Sequence, residues 1–522
     1  MSEQSVFCVV EWDTDPSQWY GTVRVYVYNL GSGLLIDPLI SFQVRHDLVV
    51  ENNYGLIWTR KGDTITGRFV EERKKIAPRD NQSFTLGIQK PGQPIPAPTS
   101  LLFKFVVNGE PADVPVPPPP PPPPPNNLRV THCGPNSVVV AWDLSNPKNL
   151  VINYLVDVDE GVHGKFQSNT ASCTITGLSP ETKYSIRVAA VNIAHENSEY
   201  SKPVVATTTE PLPSHDWDMR RGPFTDYTSY PYPKLTEYGK ETGLDGAFLG
   251  FGVVTTDPLD TVLKWGGYPK IDGIPADLAH GQWGKDDIAE FVQGGGKIAI
   301  SFGGASNLPL EAHEHDPEKI ALQYDQIIVN YVCERFDFDF EGGFLADKDA
   351  LLRHVTAMTI LLQKRKQLKI SYTLPVDASP TLQGFNSDGI CLLQLLAQAG
   401  IQPSLINGML MEFGAGSPAS MLDCCKIALN GMHKEIKDIF HWDEAHVWRR
   451  IGACPMFGVN NNGKIFTLED MGGLKAFALE KKIGCVSGWD TTRDKNGEPV
   501  THTKQKPYDF CKIIATYKPA KD

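Results

Sequence analysis

Residues 335–343 read R-F-D-F-D-F-E-G-G, with Asp337, Asp339 and Glu341 alternating with Phe336, Phe338 and Phe340. Alternate side chains of an extended strand share a face, so the three acids line one side and the three rings the other. Two residues of strand span roughly 6.6–6.8 Å, which brings neighbouring carboxyls close enough to oppose each other's ionisation. An acid whose pKa is raised in this way keeps its proton near neutrality, as a general acid must. A solvated amphipathic edge strand would have the same spacing, so the elements around it decide between the two.

Those elements alternate. From about Asp216, strand-like runs (A-F-L-G-F-G-V-V, K-I-A-I-S-F, L-K-I-S-Y-T-L-P-V) are interleaved with helical ones (D-D-I-A-E-F-V-Q, A-L-L-R-H-V-T-A-M-T-I-L-L-Q-K-R). The pattern predicts a (β/α)8 TIM barrel over residues 211–522, with chemistry at the C-terminal strand ends. Four such ends stand out: Ser301-Phe302-Gly303-Gly304, the acid strand, Asn407–Gly414, and Ile451–Asn460 with its sequel through Trp489, Asp490, Arg493 and Asp494.

In order and spacing these stretches resemble glycoside hydrolase family 18, the chitinase family, in its bacterial and archaeal branch, over nearly all of residues 240–510. The resemblance implies that Glu341 is the general acid and later the base. It implies that the substrate's own acetamido carbonyl attacks C1, giving retention, and that Asp339 steadies the acetamido group. Asp337 would share a proton with Asp339. Trp489 would form an apolar floor under the sugar, with Tyr372 and Met411 as further lining. Glu412 and Phe413, also expected to line the substrate, stand where the branch usually has Asp and Tyr, so an acceptor is displaced by a methylene and a hydroxyl is lost. Glu334-Arg335 replaces the usual Asp-Gly. The reading is a chitinase cutting β-1,4 N-acetylglucosamine links. An endo-β-N-acetylglucosaminidase acting on N-glycans and a catalytically weak chitin-binding lectin remain as alternatives.

Residues 1–110 read as short strands punctuated by Gly, Asn, Asp and Pro, which predicts a β-sandwich. Ser17-Gln18-Trp19-Tyr20-Gly21 and the later Asn29-Leu30-Gly31-Ser32-Gly33 resemble family 2 cellulose- and chitin-binding modules. On that resemblance Trp19 and Trp58, with Trp12 and Tyr54 as further candidates, would stack on chitin or cellulose. The linker is set at 111–125, where Pro117–Pro125 is a run of nine prolines and reads as a stiff extended spacer. Residues 126–210 form a second β-sandwich. Its strand Trp142 and its Leu178…Tyr184 corner resemble a fibronectin type III domain.

A net charge of −12 with no Lys/Arg block argues against a nucleic-acid partner. The ten cysteines include no C-x-x-C pair, so neither a zinc site nor a disulfide scaffold is expected. His313 and His315 read as a solvated loop, and no metal or cofactor is expected. With no signal-like start and no long apolar run, the expectation is a monomer away from membranes, cytoplasmic at synthesis or exported non-classically.

Overall fold

The computed structural model describes residues 6–12, 20–31, 33–45, 48–77, 80–89, 104–112, 120–146, 150–229 and 234–519. The chain forms two compact units, residues 1–133 with 137–208, and 134–136 with 209–522.

In the first unit, two sheets of four and five strands make the N-terminal sandwich. Val23, Val25 and Val27 alternate inward from one sheet and meet Ile40, Phe42 and Ile65 from the other. Trp19 lies outside the described residues. Trp58 does not lie flat on the surface as expected. It shares the inward parity of Leu56, pairs with Gly67, and packs on the core. A Cβ on Gly67 would come within 2.8 Å of the Trp58 Cβ, so glycine makes room for the indole. Tyr54 is exposed, with the Arg73 guanidinium 4.5 Å from its ring centre.

The second sandwich has sheets of three and four strands. Buried Trp142 meets Tyr154 edge-on at 5.1 Å, and the Tyr184 hydroxyl accepts the Ser179 N–H at 2.8 Å. That corner pins the loop into the last long strand. The two sandwiches are not held apart by the prolines. Phe7, Tyr28 and Leu30 of the first bury against Leu150, Ile152 and Ile193 of the second. The Asn192 side chain donates to the Pro120 carbonyl at 3.1 Å, so the described end of the proline run lies along the second sandwich.

In the second unit, eight strands form one parallel sheet. They are β1 (Phe224–Asp226), β2 (Gly246–Val253), β3 (Lys297–Gly303), β4 (Arg335–Asp339), β5 (Lys369–Ser379), β6 (Leu405–Leu410), β7 (Ile451–Pro455) and β8 (Cys485–Val486). The sheet closes where Gly222 N–H donates to the Val486 carbonyl and Phe224 N–H to that of Gly488. Eight helices follow the strands: α1 (Leu235–Thr242), α2 (Lys285–Gln293), α3 (Pro317–Tyr331), α4 (Lys348–Lys364), α5 (Ser387–Gln398), α6 (Met421–Phe440), α7 (Leu468–Lys481) and α8 (Asp509–Ala515). This is the TIM barrel the alternation predicts. The side chains of Asp316 and Asp347 cap the N-termini of α3 and α4, accepting the N–H groups of Glu318 and Ala350.

Strand parity then sorts the residues. Phe336, Phe338 and Phe340 point outward under the helices and are fully buried. Apolar side chains that include Phe248, Ala299, Leu405, Cys454 and Cys485 fill part of the lumen. No disulfide is formed among the described residues, and no described helix is long and apolar enough to cross a membrane.

Candidate active site

The register of β4 brings the acids together. Asp337 lies between Ser301 of β3 and Ser371 of β5, and Asp339 between Gly303 and Thr373. Asp337 is fully buried. One of its oxygens accepts from Ser371 Oγ at 2.5 Å and Thr373 Oγ1 at 2.8 Å, and the other from Ser301 Oγ at 2.7 Å. Thr373 in turn accepts from Asn407 Nδ2 at 3.1 Å, and Asn407 accepts from Ser487 Oγ at 3.3 Å. A fixed hydroxyl and amide chain therefore crosses the barrel from β5 to the residue after β8. The Ser-Phe-Gly-Gly end of β3 has a local reason too. A Cβ on Gly303 would come within 2.2 Å of the Asp339 carbonyl, and the Gly304 N–H donates to that carbonyl at 2.9 Å.

Burial raises the Asp337 pKa to about 6, against the opposing pull of its three hydroxyls. Asp339 is pushed well above the ordinary range, first by burial and then by the charges of Glu341 and Asp337. Its Oδ1 is buried without a hydrogen-bond partner. Half-buried Glu341, just beyond β4, is also raised by burial. The hydrogen bonds of Asp337 go to hydroxyls and not to Asp339, so the proton expected to be shared between them has no direct bridge. What the arrangement supplies is a line of three carboxyls whose pKa values burial raises, the middle one with a buried oxygen that has no hydrogen-bond partner.

The raised pKa of Asp337 makes folding stability depend on pH. Its carboxyl ionises near 3.8 when exposed and near 6 when folded, so between those values the unfolded chain has lost a proton that the folded chain keeps. Folding stability from this group therefore falls as pH rises from about 4 to about 6, by on the order of 3 kcal/mol, and does not recover above. Asp337→Asn removes that titration. Thermal unfolding at stepped pH is expected to find the variant's Tm gaining on the parent's between about pH 4 and pH 7. A difference that stays constant across the range would contradict a raised Asp337.

Trp489 is half-buried and stacks on Phe251 at 5.6 Å and 25°, with Phe224 at 6.1 Å. Phe251 is a neighbour that sequence reading missed, although it sits in the A-F-L-G-F-G run of β2. Met411 is buried in the same cluster with Met456 and Cys454.

Three expected lining residues lie elsewhere. Tyr372 is fully buried on the outward face of β5, stacked near Phe338, with its hydroxyl on His354. It occupies the parity opposite to Ser371 and Thr373, so it cannot face the lumen. Glu412 has a left-handed backbone (φ 53°), and its carboxylate accepts the N–H groups of Asn461 and Asn462 at 2.7 and 3.0 Å. It ties the loop after β6 to the turn after β7. Phe413 is buried in the main core. Arg493 and Asp494 are not paired with each other. Arg493 donates to the Phe457 and Val459 carbonyls, while Asp494 accepts the Phe510 and Cys511 N–H groups. Among the described residues no group of three or more His, Cys, Asp or Glu is placed to hold a metal. His313 Nε2 lies 3.0 Å from the Thr255 carbonyl.

Residues 123–207 match the family described as "Fibronectin type III domain". The catalytic domain of a hyperthermophilic chitinase from Pyrococcus furiosus is 26% identical, with a TM-score of 0.50, covering 59% of this chain and 96% of that one. The barrel is similar in fold and sequence to that chitinase catalytic domain. Among curated proteins, a "Probable bifunctional chitinase/lysozyme" of Escherichia coli (strain K12) is 27% identical over 339 residues, 61% of this chain and 36% of that protein. "Endochitinase 11" of Metarhizium anisopliae is 26% identical over 308 residues, 56% of this chain and 55% of that protein. The chain thus spans roughly a third and a half of these two relatives.

Proposed function

We propose that the chain is a chitinase, hydrolysing β-1,4 links between N-acetylglucosamine units with retention, by a mechanism in which the substrate's acetamido oxygen is the nucleophile. The observation that carries this is the buried Asp339 Oδ1 with no partner, beside a half-buried Glu341. An acceptor left dry and unpaired is destabilising unless a ligand supplies the donor, and an acetamido N–H is such a donor.

In this reading Glu341 gives its proton to the glycosidic oxygen as the acetamido carbonyl closes on C1. The exocyclic C–O bond breaks and positive charge spreads over the oxazolinium ring. Asp339 holds the ring N–H and offsets that charge. Glu341, now ionised, takes a proton from water, which opens the ring at C1 with the original configuration. Asp337 with its hydroxyls keeps Asp339 in a fixed surrounding. The stacked Trp489 and Phe251 offer an apolar face to the pyranose. Names of the relatives support chitin as the substrate class. For the N-terminal sandwich, binding to the polymer is the accompanying proposal, with Tyr54 rather than Trp58 on its described surface.

The test is proton NMR of N-acetylglucosamine hexamer during hydrolysis, alongside cellohexaose and a high-mannose glycopeptide. Cleavage of the chitin hexamer with the β-anomer appearing first is expected, and an intact cellohexaose, which has no acetamido group. Release of glycan from the glycopeptide with the hexamer untouched would favour the endo-glycosidase instead. An α-anomer first would exclude the mechanism.

A further inference from the structure

Behind the acid strand, on the face of β4 turned away from the lumen, is a buried polar group that the proposed reaction does not use. Glu311, in the short helical turn Leu310–Ala312, and His354 of α4 are both fully buried. His354 Nδ1 lies 2.8 Å from Glu311 Oε1, and its Nε2 lies 2.9 Å from the Tyr372 hydroxyl of β5. The Tyr324 hydroxyl of α3 donates to the same Glu311 oxygen at 3.1 Å. A neutral imidazole satisfies this pattern, donating from Nδ1 and accepting the Tyr372 proton at Nε2. Four side chains from four elements are thereby joined, Glu311 and Tyr372 through the ring and Tyr324 through the Glu311 carboxylate.

That ring meets the acid strand directly. Its centroid is 4.5 Å from that of Phe338 and 4.9 Å from that of Phe340, edge-on at 72° and 77°. These two phenyls alternate with Asp339 and Glu341, and the Phe340 N–H, bonded to the Thr373 carbonyl at 3.2 Å, is the last ladder contact before Glu341. Packing alone gives no reason for ionisable groups at this place, because well-shaped apolar residues in place of a buried polar cluster are often neutral or stabilising. What hydrogen bonds at both ring nitrogens add is a single ring orientation.

We propose that Glu311, His354 and Tyr372 are positioning residues. They fix the imidazole against Phe338 and Phe340, and through those rings set where Asp339 and Glu341 meet the bond to be cut. The proposal rests on the glycosidase reading above. A displacement of about 1 Å at reacting groups can lower turnover about 100-fold, so a small loosening is enough to register.

The test replaces the cluster by apolar residues in the full chain: Glu311→Met, His354→Leu, Tyr372→Phe and Tyr324→Phe together, assayed on N-acetylglucosamine hexamer. The expected result is a Tm close to the parent's, kcat lower by about tenfold or more, and KM within about twofold. A folded variant with the parent's kcat overturns the proposal. Should the combined variant not fold, Tyr372→Phe alone is compared with Leu429→Ala, a fully buried residue of α6. Tyr372→Phe is expected to lower kcat about threefold at unchanged KM, as one neutral hydrogen bond is removed, whereas Leu429→Ala lowers Tm and leaves kcat alone. Equal kcat in both would mean the cluster serves stability only. If the parent itself does not turn over the hexamer, the glycosidase reading fails, and positioning is read from carboxyl carbon NMR instead. The Asp339 titration is then expected to move in the cluster variant and not in Leu429→Ala, and no movement overturns the proposal.

Discussion

Glu341→Gln is expected to lower hydrolysis of N-acetylglucosamine hexamer by about 10²–10⁴-fold while leaving its binding within a few-fold of the parent. Gln has the size and the polar atoms of Glu but cannot lose or gain a proton at neutral pH, so the two proton transfers at the glycosidic oxygen and at water both fail. Glu341 is half-buried beyond the last residue of β4, and its side chain makes no capping hydrogen bond to the helical turn that follows, so the variant's Tm should match the parent's. Initial rates by product chromatography, with hexamer binding by calorimetry, check both halves. Normal hydrolysis by a folded Glu341→Gln would remove the residue from the chemistry. There is a further consequence, because the Glu341 charge is the second cause, after burial, of the raised Asp339 pKa. In Glu341→Gln the Asp339 carboxyl should therefore titrate at lower pH.

Asp339→Asn is expected to cost about 10²–10³-fold in kcat with a smaller change in KM. Asn can still present an oxygen to an acetamido N–H, so ground-state binding survives. It carries no charge, so the positive ring that forms when the acetamido oxygen closes on C1 loses its compensating carboxylate. The effect belongs to the transition state, which predicts equal losses in kcat and kcat/KM. A variant that raises KM and keeps kcat would assign Asp339 to binding alone. Its stability should rise slightly, since a buried carboxyl with an unpaired oxygen and a strongly raised pKa destabilises the folded chain at neutral pH.

Much of the site was legible because a strand has a period of two. The alternation of Asp337, Asp339 and Glu341 with three Phe requires that the acids share a face, and Gly342-Gly343 marks the strand end whatever surrounds it. The barrel and the fibronectin-type sandwich were legible for a similar reason, through alternation of segment types and through Trp142 and the Tyr184 corner. Lining residues were harder. Tyr372 and Thr373 are adjacent, and a side chain's assignment to lumen or helix layer reverses with a shift of one residue. Only the pairing of Asp339 with Thr373 and Phe338 with Tyr372 decides it. Glu412 and Phe413 failed for another reason. A left-handed residue at 412 turns the chain, and that sends Phe413 into the core.

What the sequence by itself determined is the set of acids, their common face and their place at the end of a strand in a parallel barrel, because these follow from local geometry and short-range periodicity. The tertiary structure alone decided which partners those acids meet: three hydroxyls on Asp337, none on Asp339 Oδ1, and the imidazole of His354 behind the strand. Those contacts join residues up to 43 positions apart between Glu311 and His354, and 36 between Ser301 and Asp337. No local pattern encodes a pairing across that distance. It is set when the sheet closes, and the pKa shifts follow from the burial that closure brings.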